Sequence, residues 1–353
     1  MTIWYNLDVD KIKNLLRRIS SGSFKRMLND ARRVNEETGY PVFFILLDMA
    51  YCIIRYNIGY LDYFIFGFAS KNKELRKTYL TYNDNTALFR MTDDKDLSYL
   101  LKDKLAFNRR YKEYLGRDFF DPEMQSIDEF KKFLKGKKKL FIKPSNSFGG
   151  LGEYKPIEVD SKTDIEALYK HLKDNKVFVE DLIEQHPTMS KLCKTSINTV
   201  RIATLVVNNE VHCLYSILRM GIDNMTVDNS SSGGLNTRLD DEGTITRACF
   251  SDKTVKYYTN HPTTGMELVG FKVPMFKETI ELCKKAALVE PKLGYIGWDI
   301  AITKNGPVIV EANDLPGYDM PQNHGTSYIK EGIKPQIEKI LGRKIRWKLD
   351  NDI

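Results

Sequence analysis

Residues 295–319 read YIGWDIAITKNGPVIVEANDLPGYD. Two apolar runs, 295–303 and 307–313, are joined by Lys304-Asn305-Gly306. Three connecting residues ending in Gly predict a β-hairpin whose last loop residue takes the left-handed conformation. That loop pairs Thr303 with Pro307 and sets Asp299 opposite Glu311. Alternation then puts Gly297, Asp299, Ala301, Ile309, Glu311 and Asn313 on one face, with Trp298, Ile300, Ile302, Val308, Val310 and Ala312 on the other. A two-residue turn at Asn305-Gly306 would set Ile300 opposite Glu311 instead. The second face is an apolar wall, while the first carries two carboxylates and an amide. Facing carboxylates repel and lose hydration unless something positive lies between them. A hard divalent cation meets that need: Mg²⁺ takes one or two carboxylates and fills its shell with phosphate and water oxygens. The bland alternative is an exposed acidic hairpin face, and the rest of the chain has to decide.

A chain of 353 residues is long enough for two or three domains with a sizeable core. Hydrophobic residues make up 42% and charged residues 29%, a globular composition without a disordered bias. The formal charge of +7 suits an anionic ligand such as a nucleotide. The run 135–139 reads as a solvated basic loop, and no nucleic-acid module is present, so no nucleic-acid partner is expected. Cys52, Cys193, Cys213, Cys249 and Cys283 are odd in number and form no CxxC, which predicts reduced thiols in a cytoplasmic protein without zinc. The start, MTIWYNLDVDK, lacks a signal pattern. The most apolar zone, 41–69, is interrupted by Asp48, Arg55 and Asp62, so it reads as core, not as a transmembrane segment. Peripheral membrane contact through Tyr60, Tyr63, Phe64, Phe66 and Phe68 is the alternative for it.

Residues 1–100 are expected to form a mainly helical N-terminal domain, with helices over 9–19, 24–34 and 42–56. From about residue 101 helices and strands alternate. Ser126-Ile127-Asp128-Glu129 and Thr163-Asp164-Ile165-Glu166 read as capping boxes. Strands follow over 139–143 and 177–183, then a long hairpin, 195–207 and 211–220, over Asn208-Asn209-Glu210. A helix over 274–289 precedes the acidic hairpin. The expected class is α+β, with lobes over 101–185 and 186–353.

Lys143 ends a buried strand directly before Ser145-Asn146-Ser147-Phe148-Gly149-Gly150-Leu151-Gly152. Glycine-rich backbone can fold closely over phosphates and offer its amides, and a lysine adds a point charge. Neither GxxxxGK[ST] nor GxGxxG occurs, so alone the segment reads equally as a turn. The strand 177–183 ends in acids, as a hinge that pairs with adenine would. His261, in Asn260-His261-Pro262, is either a general base or, more simply, a loop residue bonded to backbone.

The order of these features carries more than any one of them. Lys104, Lys143 with its glycine loop, the acidic hinge, Arg201 and Arg219 on a hairpin, Asp299, and Glu311-x-Asn313 resemble the ATP-grasp superfamily over about residues 100–325. The segments Ser196-Ile197-Asn198-Thr199-Val200-Arg201, Val227-Asp228-Asn229, Gly233-Gly234, His261-Pro262-x-Thr264-Gly265 and Ile296-Gly297-Trp298-Asp299-Ile300 are most similar to the sugar-transfer-associated ATP-grasp family.

The resemblance implies an ATP-grasp fold, two α+β lobes gripping ATP, behind a helical N-terminal region. It implies that Lys104 and Lys143 contact the α- and β-phosphates, while Ser147, Gly149, Gly150 and Gly152 close over the triphosphate. Glu180 would face the adenine amine, Asp181 and Ile183 would offer backbone groups, and Glu184 is assigned to the ribose. Asp299, Glu311 and Asn313 would hold two Mg²⁺ ions. Arg219 would neutralise the β/γ-phosphates, and Arg201 and Asn198 would face phosphates or acceptor. Asp228, Asn229, Gly233 and Gly234 are the acceptor-site candidates. One departure stands out. D-alanine–D-alanine-type ligases carry an arginine two residues before the metal aspartate, where this chain has Gly297.

The implied activity is ATP-dependent carboxylate–amine ligation through an acyl phosphate, in cell-surface polysaccharide modification, on small-molecule or glycan-linked substrates. The alternatives are a kinase on a sugar hydroxyl and a non-catalytic nucleotide-binding regulator of glycan assembly.

Overall fold

The structure is a computed structural model that describes residues 23–145, 155–222, 225 and 233–346. The helix expected over 9–19, the loop residues Ser147, Gly149, Gly150 and Gly152, and the Asp228-Asn229 pair lie outside the described residues. The chain divides into two compact units, Met1–Leu88 with Gly317–Ile353, and Phe89–Pro316.

Helices dominate the first unit: Ser23–Thr38, Val42–Tyr56, Tyr60–Ile65, Lys73–Lys77 and, from the C-terminal part, Lys334–Leu341. Tyr63, Phe64, Phe66 and Phe68 are at most 3% exposed. Phe66 packs on Tyr79 with ring centroids 4.9 Å apart and on Phe68 at 5.6 Å. These four rings are therefore core, which removes them as a membrane-facing set. Beneath them Arg76 forks onto Asp48 at 2.6 and 2.8 Å, and the Tyr63 hydroxyl donates to the same carboxylate. Among the described residues no single helix is long and apolar enough to cross a membrane.

Two antiparallel sheets build the second unit. The smaller contains β1 (Phe119–Phe120), β2 (Lys139–Pro144), β3 (Lys155–Glu158) and β4 (Val177–Asp181), in the order β1-β4-β2-β3. Helices Ile127–Leu134 and Ile165–Asp174 contribute Phe130, Leu134 and Leu172 to its core, against Phe120, Leu140, Ile142 and Val179. The first helix starts on the expected Ser126–Glu129 capping box. The second is capped by Asp164, not Thr163, because the Thr163 hydroxyl is spent on Asp160.

The larger sheet holds β5 (Thr199–Val207), β6 (Glu210–Met220), β7 (Leu235–Arg238), β8 (Cys249–Ser251), β9 (Lys256–Tyr258), β10 (Tyr295–Thr303) and β11 (Gly306–Asn313). Their order is β11-β10-β5-β6-β7-β8-β9. β5 and β6 join through two residues, Asn208 and Asn209, at φ +51° and +62°. That primed turn matches strand twist, which is why Glu210 belongs to the strand and not to the loop. The helix Phe276–Ala287 packs on β5, β6, β10 and β11. Trp298 is fully buried in that core, its indole N–H donating to the Thr204 hydroxyl at 2.8 Å. The architecture is α+β with a helical N-terminal part, as the sequence predicts.

The β10–β11 ribbon reaches the expected acid pairing by a different route. Its turn is Lys304-Asn305, so Thr303 pairs with Gly306, and that register holds through Ile300 and Ile309. A bulge at Val310 then absorbs one residue and sets Asp299 opposite Glu311. The bulge also corrects the faces. Ile309, 0% exposed, joins Ile300 in the core, and Val308 turns to the side of Asp299.

Candidate active site

Strand pairing lines up two rows across the larger sheet. Glu311, Asp299, Arg201, Ile217 and Arg238 are successive cross-strand neighbours. Ala301, Thr199, Arg219, Asn236 and Phe250 form the adjacent row. Residues paired directly, or two apart along a strand, share a face. One face of the sheet thus presents acids at one edge, arginines in the middle and polar groups beyond, while the opposite face packs on the helix Phe276–Ala287.

Asp299 is the centre of this row and is 2% exposed. Arg201 grips it bidentately, Nε to Oδ1 and Nη2 to Oδ2, both at 2.7 Å. Arg219 donates to Oδ2 at 2.8 Å, and the Asn313 amide reaches the same oxygen at 3.3 Å. Burial pushes the Asp299 carboxyl up, but the two guanidiniums outweigh it and hold the group well below the usual carboxylate range. Glu311 moves the other way: burial and the Asp299 charge raise it, against Lys143, Arg201 and Arg219. A side-chain hydrogen bond joins the two acids. The positive charge that facing carboxylates require is supplied here by arginines.

A second ionic cluster sits on the smaller sheet. Lys143, on β2, contacts Glu180, on β4, at 2.5 Å, and Arg117 reaches the other oxygen at 3.1 Å. Glu180 is 2% exposed, and the two cations lower its carboxyl against the pull of burial. Burial lowers Lys143, with Arg117 adding to the effect and Glu180 opposing it. Arg117 also donates to the Ile309 and Val310 carbonyls, at 2.6 and 3.1 Å, so it ties Glu180 to the bulge in β11. Gly116 permits that approach: it lies at φ +59°, and a Cβ there would meet Val308 Cγ1 at 2.2 Å. Lys143 is close enough to Glu311 to influence its ionisation. The Lys104 backbone N–H donates to the Ser145 carbonyl at 2.9 Å, which sets Lys104 at the end of β2.

Other expected residues lie elsewhere or are already engaged. Asn198 is 0% exposed, and its amide donates to Gln185, Met189 and Cys193 while its oxygen accepts from the Gly221 N–H. These bonds tie it to the backbone just before β5. Asp181 pairs with Lys137 at 2.5 Å, Ile183 is half-buried, and Glu184 is exposed. Gly233, at φ +117°, and Gly234 lead into β7. His261 is 1% exposed; its Nδ1 accepts from the Thr263 and Thr264 N–H groups, and its Nε2 is 2.9 Å from the Gly221 carbonyl. Both nitrogens serve backbone, which fixes it as a loop residue. Gly297 has Pro316 packed against it, with a Cβ there only 3.1 Å from the proline ring. A side chain there would need the proline to give way by a few tenths of an ångström, and the guanidiniums beside Asp299 come from β5 and β6.

Arg117 and Asn236 carry no motif and escape a reading of the sequence. Asp299, Glu311 and Asn313 lie together on β10 and β11 and can offer a set of oxygen donors. That set suits a hard divalent cation.

A family model described as sugar-transfer associated ATP-grasp matches residues 74–339. No curated protein matches the chain. Phosphoribosylamine–glycine ligase from Thermotoga maritima is 15% identical, over 72% of this chain and 58% of that one, with a TM-score of 0.43. D-alanine–D-alanine ligase from Bacillus anthracis is 18% identical over 63% and 58%, with a TM-score of 0.34. N5-carboxyaminoimidazole synthetase from Staphylococcus aureus is 10% identical over 70% and 53%, with a TM-score of 0.40. The matched region spans less than two thirds of each of those chains. Likeness this distant carries no argument of its own, and the family match carries the assignment.

Proposed function

The chain belongs to the sugar-transfer-associated ATP-grasp family, and from that premise we propose that it is an ATP- and Mg²⁺-dependent ligase joining a carboxylate to an amine. The observation that carries this reading is the Asp299–Glu311 pair, set across β10 and β11 with Arg201 and Arg219 beside it. A carboxylate is a poor acyl donor because oxide is a poor leaving group. Attack of its oxygen on the γ-phosphorus of ATP, with departure of ADP, gives an acyl phosphate, and an amine then displaces phosphate to leave an amide.

The protein's part is positioning and charge neutralisation. Asp299, Glu311 and Asn313 would hold Mg²⁺. When bound, the metal screens phosphate charge. Arg201 and Arg219, anchored on Asp299, are assigned to phosphate oxygens, and Lys143 and Lys104 to the α- and β-phosphates. Both oxygens of Glu180 are taken by Lys143 and Arg117, so its proposed role is to position Lys143, with adenine left to the backbone of 181–183 and ribose to Glu184. The Ser147–Gly152 loop is proposed to exclude water, which protects the acyl phosphate from hydrolysis. The family's association points to a uronic acid or amino acid substrate in cell-surface polysaccharide modification.

The test is Mg²⁺-dependent ADP release across a panel of amino acids and uronic acids, with and without hydroxylamine. An acyl phosphate is trapped as a hydroxamate. ADP release with a phosphate ester and no hydroxamate would make the protein a kinase, and an unchanged cellular product with Glu311→Gln would make it a non-catalytic binder.

A further inference from the structure

The acid edge of the larger sheet accounts for ATP and the acyl donor, but it leaves the amine without a base. An aliphatic amine reaches the site as an ammonium ion, with no lone pair to attack carbon, since its pKa lies near 10. The same sheet face is rich in fixed cations: Arg201, Arg219 and Arg238 all lie in its two rows. Arginine does not surrender its proton, so these groups repel an ammonium and cannot deprotonate it. Asp299 is already answered by two guanidiniums.

A different carboxylate lies at the far side of those arginines. Arg219 on β6 pairs with Asn236 on β7, and Asn236 pairs with Phe250 on β8. Asp252 lies two residues beyond Phe250, in the turn that follows β8. Its carboxylate is hydrogen-bonded to the Asn236 side chain and lies within the field of Arg219. Arg219 therefore bonds to Asp299 at 2.8 Å and also acts electrostatically on Asp252. We infer that Asp252, oriented by Asn236, binds the ammonium of the acceptor and takes its proton. The inference rests on the ligase reading and deepens it.

The step balances. One N–H proton of the ammonium passes to Asp252 and then to solvent. The freed lone pair forms the C–N bond, the bond from acyl carbon to phosphate oxygen breaks, and phosphate leaves with that electron pair. A second N–H proton departs with the phosphate as hydrogen phosphate, leaving the neutral amide. Burial raises the Asp252 carboxyl despite Arg219 and Asn236, which makes it a stronger base than an exposed aspartate.

Hydroxylamine separates this role from a structural one, because it is largely unprotonated at neutral pH and needs no base. With the full chain, ATP, Mg²⁺ and an active acid from the panel (glucuronate first), acyl transfer to hydroxylamine is compared with transfer to L-lysine. Asp252→Asn is expected to keep hydroxamate formation and lose amide formation by roughly 100-fold or more, with an unchanged melting temperature. Asp252→Glu should recover part of the loss. Equal amide rates in wild type and Asp252→Asn overturn the inference, as does an equal loss of both products in a folded variant. Wild-type protein that makes neither product removes the ligase reading itself, and this inference with it.

Discussion

Asp299 and Glu180 are both buried acids gripped by two cations, yet the grips differ in kind. Asp299 is held by two arginines from neighbouring strands of its own sheet. Glu180 is held by one arginine and one lysine, and the arginine also reaches into the other sheet. Arginine keeps its charge under all ordinary conditions, whereas a buried lysine can shed its proton. The Asp299 cluster is thus locked in charge, and the Glu180 cluster can relax by neutralising Lys143. Asp93 is the third case. Its carboxylate accepts from the Tyr295 N–H and the Thr92 hydroxyl, and the charged group that acts on it is another acid, Asp314. Burial and that charge push it up to about 7.

The contrast gives a ranked set of expectations. Asp299→Asn leaves one buried and one partly buried guanidinium facing a neutral amide and should cost about 3–5 kcal/mol of unfolding free energy, read by chemical denaturation. Glu180→Gln should cost roughly half as much, because Lys143 can go neutral; a larger loss for Glu180→Gln would break the comparison. Gly116→Ala forces a Cβ against Val308 at a left-handed position and should cost about 2 kcal/mol. It should also disturb the Lys143 cluster more than the Asp299 cluster, visible in side-chain NMR of the two regions. Mg²⁺ should bind at least about tenfold more tightly with a non-hydrolysable ATP analogue than alone. The reason is that Asp299 stays occupied by Arg201 and Arg219 until phosphate oxygens draw them off, and calorimetry with and without the analogue measures this.

One expectation stands apart from that ranking and concerns Asp93 and pH. Its folded value lies above the ordinary 3.8, so the native state holds a proton that the unfolded chain releases. That contribution to stability is complete below the ordinary value, falls as pH rises through the window, and is gone above about 7. Asp93→Asn should flatten this part of the pH profile and raise the melting temperature at pH 8 relative to wild type.

Several of these features are legible in the chain alone. The Ser126–Glu129 cap and the helix Val42–Tyr56 follow from local pattern, whereas the Asp299–Glu311 pairing is reached through a tighter turn and a bulge that the pattern does not show. What local pattern misses is competition between partners. Asn198 looks like a substrate ligand until the carbonyls of Gln185, Met189 and Cys193 claim its amide. Thr163 looks like a cap until Asp160 takes its hydroxyl. Arg117 has no signature because two of its acceptors are backbone carbonyls nearly two hundred positions away, exposed by a bulge that no residue type announces. Asp252 reaches Asn236 and Arg219 only once three strands have aligned.

The extra residue in β11 is not needed to bring the two acids face to face. Remove Val310 and the ribbon closes in plain register from turn to acids, with the glutamate still across from Asp299. What such a shortened ribbon forfeits is the pair of oxygens on which Arg117 hangs. The irregularity is therefore a bracket for a side chain arriving from the loop just before β1, and a one-residue deletion can cut that mechanical link while sparing the carboxylate pair.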